Sequence, residues 1–90
     1  MKLSEKMRVP EDVLAKAVGD ETVMLDLANG TYFGLDPVGT RVWELLGDGK
    51  TLAEVCAIMI NEFDVSRQVL ENDVLRLAED LASRGLIVPA

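Results

Sequence analysis

Residues 21–36, ETVMLDLANGTYFGLD, carry the signals of a β-hairpin. Val23, Leu25 and Leu27 alternate with Thr22, Met24 and Asp26, the period of two expected of a half-buried strand. Asn29-Gly30 supplies turn chemistry, and Thr31 to Leu35 forms a second short strand. Loop length decides which side chains are buried, because a one-residue slip exchanges the faces. A two-residue Asn29-Gly30 loop pairs Leu27 with Tyr32 and places Phe33 and Leu35 with Met24 and Asp26. A three-residue loop, Ala28-Asn29-Gly30 with Gly30 left-handed, gathers Val23, Leu25, Leu27, Phe33 and Leu35 on one face. Burial favours the longer loop, which leaves Met24, Asp26, Tyr32 and Gly34 on the other side.

The second strand runs directly into Asp36-Pro37, a helix cap followed by proline at the first helical position. No further strand follows in sequence. Lying at a sheet edge, Thr31 to Leu35 would offer unpaired backbone groups to a chain that adds a strand.

The other elements follow from spacing. Val13 to Val18 is too short for a helix before Gly19-Asp20 and reads as a strand paired with Thr22 to Leu27. Residues 1–10 form a loose start that joins the sheet near Met7 to Val9. A first helix runs from Pro37 to about Leu46, with Val38, Val42, Leu45 and Leu46 in phase and Gly47-Asp48-Gly49 ending it. Thr51 caps a second helix, and Glu54 completes a capping box; Leu52, Val55, Cys56, Met59 and Ile60 form its apolar stripe. Ser66 caps the third and longest helix, which ends near Ser83 before Gly85. Its stripe is Leu70, Val74, Leu77, Ala78 and Leu81, and Leu86-Ile87-Val88 tucks back onto the core. Three strands followed by three helices make a winged-helix-like α+β domain spanning residues 1–90.

Bulk properties narrow the function. Apolar residues make up 49% of the 90 residues, enough for one small folded domain. The net charge of −7 opposes nucleic acid as a partner, since affinity for a phosphate backbone comes from Lys and Arg. A DNA-binding winged helix fits the order of elements but not this charge. The absence of a long apolar run opposes a membrane span. The opening MKLSEKMRVP lacks the apolar core of a signal peptide. The single Cys56 rules out an intrachain disulfide, which suits the cytoplasm, the expected location.

Candidate chemical sites are few. The chain has no histidine and one cysteine, so no zinc site is expected, and no motif suggests a cofactor. Glu71, Asp73, Glu79 and Asp80 spread around the third helix as a solvated face. Cys56 sits on an apolar stripe with no histidine to activate it and reads as a small core residue. Gly47-Asp48-Gly49-Lys50-Thr51 lacks phosphate-loop spacing and reads as a helix-to-helix turn. Trp43 reads as core. Tyr32 serves either as a surface residue or in recognition. No catalytic residue is expected. On the third helix, Val69, Asp73, Arg76 and Asp80 lie in one row beside the buried stripe. The row is either a solvated face or the wall of a groove; Glu71, Leu75, Ala78 and Ala82 form the competing wall, and sequence does not choose between them.

The stretch TYFGLDPVGTRVWELLGDGKTLAEV resembles the PqqD-like family, the precursor-peptide recognition elements of pathways that modify ribosomally made peptides. The shared pattern is aromatic-Phe-Gly-Leu-Asp, then Gly39, Val42-Trp43, Leu45-Leu46, and Gly49 with Thr51 and Glu54. It continues with Glu62-Phe63-Asp64-Val65, Asp73-Val74, Leu81 and Gly85-Leu86, and covers about residues 8–88. In detail the chain is more similar to the stand-alone lasso-peptide type than to the quinone-cofactor type. The resemblance implies a three-stranded sheet followed by three helices, without catalytic activity or cofactor. It implies that the leader segment of a precursor peptide is bound as an added strand on the third strand, beside the third helix. The implied peptide-binding set is Thr31, Tyr32, Phe33, Gly34, Leu35, Val69, Asp73, Arg76, Leu77 and Asp80. The implied partners are the precursor peptide and a modifying enzyme, for lasso peptides a leader peptidase. The alternatives are a PqqD-type chaperone of quinone-cofactor biosynthesis and a domain that oligomerises through its own edge strand.

Overall fold

A computed structural model describes all 90 residues. Strand β1 (Met7–Arg8) precedes a meander of β2 (Val13–Val18), β3 (Glu21–Asp26) and β4 (Thr31–Leu35). Helices α1 (Pro37–Gly47), α2 (Leu52–Met59) and α3 (Arg67–Ser83) follow, and β5 (Val88–Pro89) closes the chain. This is the expected α+β order of a three-stranded antiparallel sheet followed by three helices. The sheet order is β2-β3-β4, so β3 is central and β4 pairs with β3 alone.

The caps are where the side-chain chemistry requires them. Asp36 Oδ1 accepts from the Gly39 amide at 2.7 Å, with Pro37 next in line. The Thr51 hydroxyl accepts from the Glu54 amide at 3.1 Å, and the Glu54 carboxylate accepts from the Thr51 amide at 2.8 Å, closing the capping box. The Ser66 hydroxyl accepts from the Val69 amide at the start of α3. Between β2 and β3, Val18 pairs with Glu21, so Gly19-Asp20 is a two-residue turn and Gly19 takes φ +65°.

The β3–β4 register corrects the sequence expectation. Thr22 pairs with Leu35, Met24 with Phe33 and Asp26 with Thr31, which makes a four-residue loop, Leu27 to Gly30. Met24, Asp26, Phe33 and Leu35 therefore share the helix-facing side, while Val23, Leu25, Tyr32 and Gly34 share the outer one. Met24 is completely buried, whereas Val23 and Leu27 are 39% and 53% exposed. The cause lies in the turn. Asp26 Oδ1 accepts from the Ala28 amide at 3.0 Å, and Oδ2 accepts from Asn29 Nδ2 at 2.8 Å. The Asp26 carbonyl accepts from the Gly30 amide at 2.7 Å, and the Leu27 amide donates to the Asp12 carbonyl at 2.9 Å. A short side chain that organises its own backbone outweighs the burial of two aliphatic residues. Gly30 is left-handed, at φ +66°.

The start of the chain also differs from expectation, whereas Leu86 and Ile87 tuck back onto the core as expected. β1 does not extend the main sheet; it pairs antiparallel with β5, Met7 opposite Pro89 and Arg8 opposite Val88. A bridge from Lys6 to Thr51 and the bond from the Leu52 amide to the Glu5 carbonyl tie this start to α2. Met7 is buried as a result. The core joins Met24 and Leu35 from the sheet to Val42, Leu45 and Leu46 of α1 and Leu52, Val55, Cys56 and Met59 of α2. Leu70, Val74, Ala78 and Leu81 of α3 join it with Leu86 and Ile87, and Met7 and Val13 complete it from the N-terminal strands. Trp43 and Phe63 are half-buried and pack against that core.

Candidate functional site

The open edge of β4 lies beside α3. A cavity of about 780 Å³ opens between them, lined by Phe33, Gly34, Leu35, Asp36, Val38, Gly39, Asp73, Arg76, Leu77 and Asp80. That volume lies within the range of ligand-binding clefts. The sheet edge contributes backbone and the rings and branches of Phe33 and Leu35. The start of α1 closes one end, and Gly39 there is tight: a Cβ would sit 3.2 Å from both Asp36 Oδ1 and Leu35 Cδ2. One helical face of α3 supplies the wall through residues 73, 76, 77 and 80, spaced at i, i+3, i+4 and i+7.

Of the two flanks left open by sequence, the Asp73–Arg76–Asp80 flank lines this cavity. On the competing flank Ala78 is fully buried. Leu77, placed by its spacing on the apolar stripe, is half-buried and turned toward the cavity. Val69 is exposed and lines neither cavity beside β4. Thr31 and Tyr32 are set apart from the first cavity. They line a second one of about 260 Å³ at the turn end of β4, with Asp26, Asn29, Phe33, Arg84 and Leu86. Tyr32 is 73% exposed.

The wall is charged at intervals. Asp73 lies 3.7 Å from Arg76, and Asp80 accepts a hydrogen bond from Arg84 Nε at 3.0 Å. The Arg84 guanidinium rests over the Phe33 ring, 4.8 Å from its centroid. Sequence reasoning missed Asp36, Val38, Gly39 and Arg84 as site residues. A signal for Arg84 exists: it stands four residues after Asp80, on the row that carries Asp73 and Arg76.

The arrangement is suited to holding an extended chain. It offers one unpaired strand edge, an apolar floor and a polar wall along the same line. No three His, Cys, Asp or Glu side chains converge to form a metal-binding group. Cys56 is buried in the core, away from both cavities, and desolvation pushes its thiol pKa up. No helix is long and apolar enough to cross a membrane.

The family model of coenzyme PQQ synthesis protein D (PqqD) matches residues 21–87. The structure of TbiB1 in complex with the TbiA(beta) leader peptide superposes with a TM-score of 0.85 at 38% identity, covering 89% of this chain and 93% of that one. A lasso peptide synthetase B1 complexed with the leader peptide superposes with a TM-score of 0.86 at 25% identity, covering 93% of this chain and 99% of that one. Among curated proteins no match to the chain was found. With the family model covering most of its length, the chain belongs to the PqqD family.

Proposed function

We propose that this chain is a non-catalytic adaptor that binds the leader segment of a ribosomally made precursor peptide by strand addition to β4. The groove between β4 and α3 holds the leader. Backbone groups of Thr31 to Leu35 form the ladder. Phe33, Leu35 and Leu77 form an apolar floor, Tyr32 flanks the strand, and Asp73, Arg76 and Asp80 form the wall. Val69, on the same row, extends that wall beyond the cavity. The single observation that carries this reading is that β4 has a partner on one side only and that its open edge borders a cavity of about 780 Å³ walled by α3.

Two solved structures similar to this chain over nearly its whole length are complexes with leader peptides, one of them a lasso peptide synthetase B1. That likeness favours the lasso-peptide setting over the coenzyme PQQ synthesis named by the family model. In that setting the chain presents the bound leader to a leader peptidase, in the cytoplasm.

Titration of the labelled leader of its own precursor into the purified chain tests the proposal. Saturable binding at or below tens of micromolar is expected, and cleavage by the pathway's peptidase should accelerate when the chain is present. No binding at that concentration would overturn the reading.

A further inference from the structure

Arg84 lines the turn-end cavity and lies over Phe33, the residue shared by both cavities along β4, and its guanidinium is only partly used. A guanidinium carries five N–H donors. Nε donates to Asp80 Oδ1 at 3.0 Å, and neither terminal nitrogen has a protein acceptor. Arg41 is the contrast: its Nε and Nη2 both donate to Glu62, at 2.8 Å each, and occupy its fork. Arg84 is held in place twice, by Asp80 behind it and by the Phe33 ring beneath it. Its remaining donors lie over the helix-facing side of β4, at the middle residue of the open edge. The one acidic group lining the turn-end cavity, Asp26, is committed to the loop through both carboxylate oxygens.

We propose that Arg84 determines specificity by taking a carboxylate side chain, Asp or Glu, from the added strand. This rests on the strand-addition reading above. A strand laid on β4 turns alternate side chains toward α3, and the one nearest Phe33 meets the Arg84 fork. A leader is joined to the rest of its precursor, so the carboxylate belongs to a side chain and not to a chain end. The pairing is local. Against a net charge of −7, an acidic side chain gains only where a guanidinium stands within hydrogen-bonding reach. The preference is therefore for one acidic position among apolar ones, not for an acidic peptide.

The test selects binders from a display library of randomised segments flanked by carrier sequence at both ends. Wild type, Arg84→Met and Arg84→Lys are used in parallel, each first checked for an unchanged thermal unfolding transition. Wild type is expected to enrich Asp or Glu at one position of an alternating apolar pattern. Arg84→Lys keeps that preference more weakly and Arg84→Met loses it. Replacing that Asp by Asn in a synthetic wild-type binder should weaken affinity by about 10- to 100-fold for wild type and scarcely at all for Arg84→Met. Binders that lack an acidic position, or that keep it with Arg84→Met, would overturn the inference while leaving strand addition standing. No binders to any of the three chains would overturn both.

Discussion

The carboxylate of Asp26, buried at the end of β3, accepts a 2.8 Å hydrogen bond from the side-chain amide of Asn29 in the loop that follows. Its other oxygen takes the Ala28 amide, so the two bonds shape the turn and deliver β4 to the sheet in a fixed register. Asp26→Ala removes both acceptors and with them the two side-chain bonds that shape the turn. A loss of about 1–3 kcal/mol in unfolding free energy is expected from urea denaturation. Leader affinity should fall with it, because a loosened turn no longer fixes the face that β4 presents.

The register separates stability from binding at neighbouring positions. Met24→Ala empties a fully buried site and should cost about 2–5 kcal/mol. Tyr32→Ala, on a highly exposed side chain, should change stability by less than about 0.5 kcal/mol. It should nevertheless weaken leader binding, measured by titration. Equal destabilisation by the two substitutions would contradict the pairing of Met24 with Phe33.

Acid sensitivity should trace to two carboxylates held by hydrogen bonds. The Thr51 backbone amide and hydroxyl hold the Glu54 pKa below its ordinary value of 4.5, and Arg41 does the same for Glu62. A depressed folded-state value means that the stabilisation is present above the unfolded value and lost as pH falls through the folded one. Melting temperature should therefore decline with falling pH below about 4.5. The decline should be shallower in Glu54→Gln and in Glu62→Gln, each of which starts from a lower melting temperature at neutral pH.

Cys56 should be silent to alkylation in the folded chain. It is 1% exposed, and desolvation raises its thiol pKa from 9.0, so little thiolate exists and none is accessible. Iodoacetamide labelling should proceed at the rate of unfolding and become fast in urea. Rapid labelling of the native chain would contradict the close packing of α2 around Cys56.

The helices were legible because their signals are local: Asp36-Pro37, Thr51 with Glu54, and Ser66 each announce a start through side-chain chemistry within three residues. The edge position of β4 was legible for the same reason, since the chain passes straight from Leu35 into a cap. The register was not, because counting aliphatic residues favours burying Val23, Leu25 and Leu27. Asp26 decides the matter by bonding to its own loop, and a period of two carries no information about that. The pairing of Met7–Arg8 with Val88–Pro89 links opposite ends of the chain and leaves no local trace. Arg84 stands just past the end of α3, outside the helix whose spacing can be read. Only the folded chain sets it over Phe33.

Amide exchange along β4 tests the central claim most directly. With the ¹⁵N-labelled chain and the leader of its own precursor, alternate amides within Thr31 to Leu35 should slow in exchange on binding, and Phe33 and Leu77 should shift. Saturable binding that leaves these amides unchanged, and instead protects β2 or another surface, would contradict strand addition at β4.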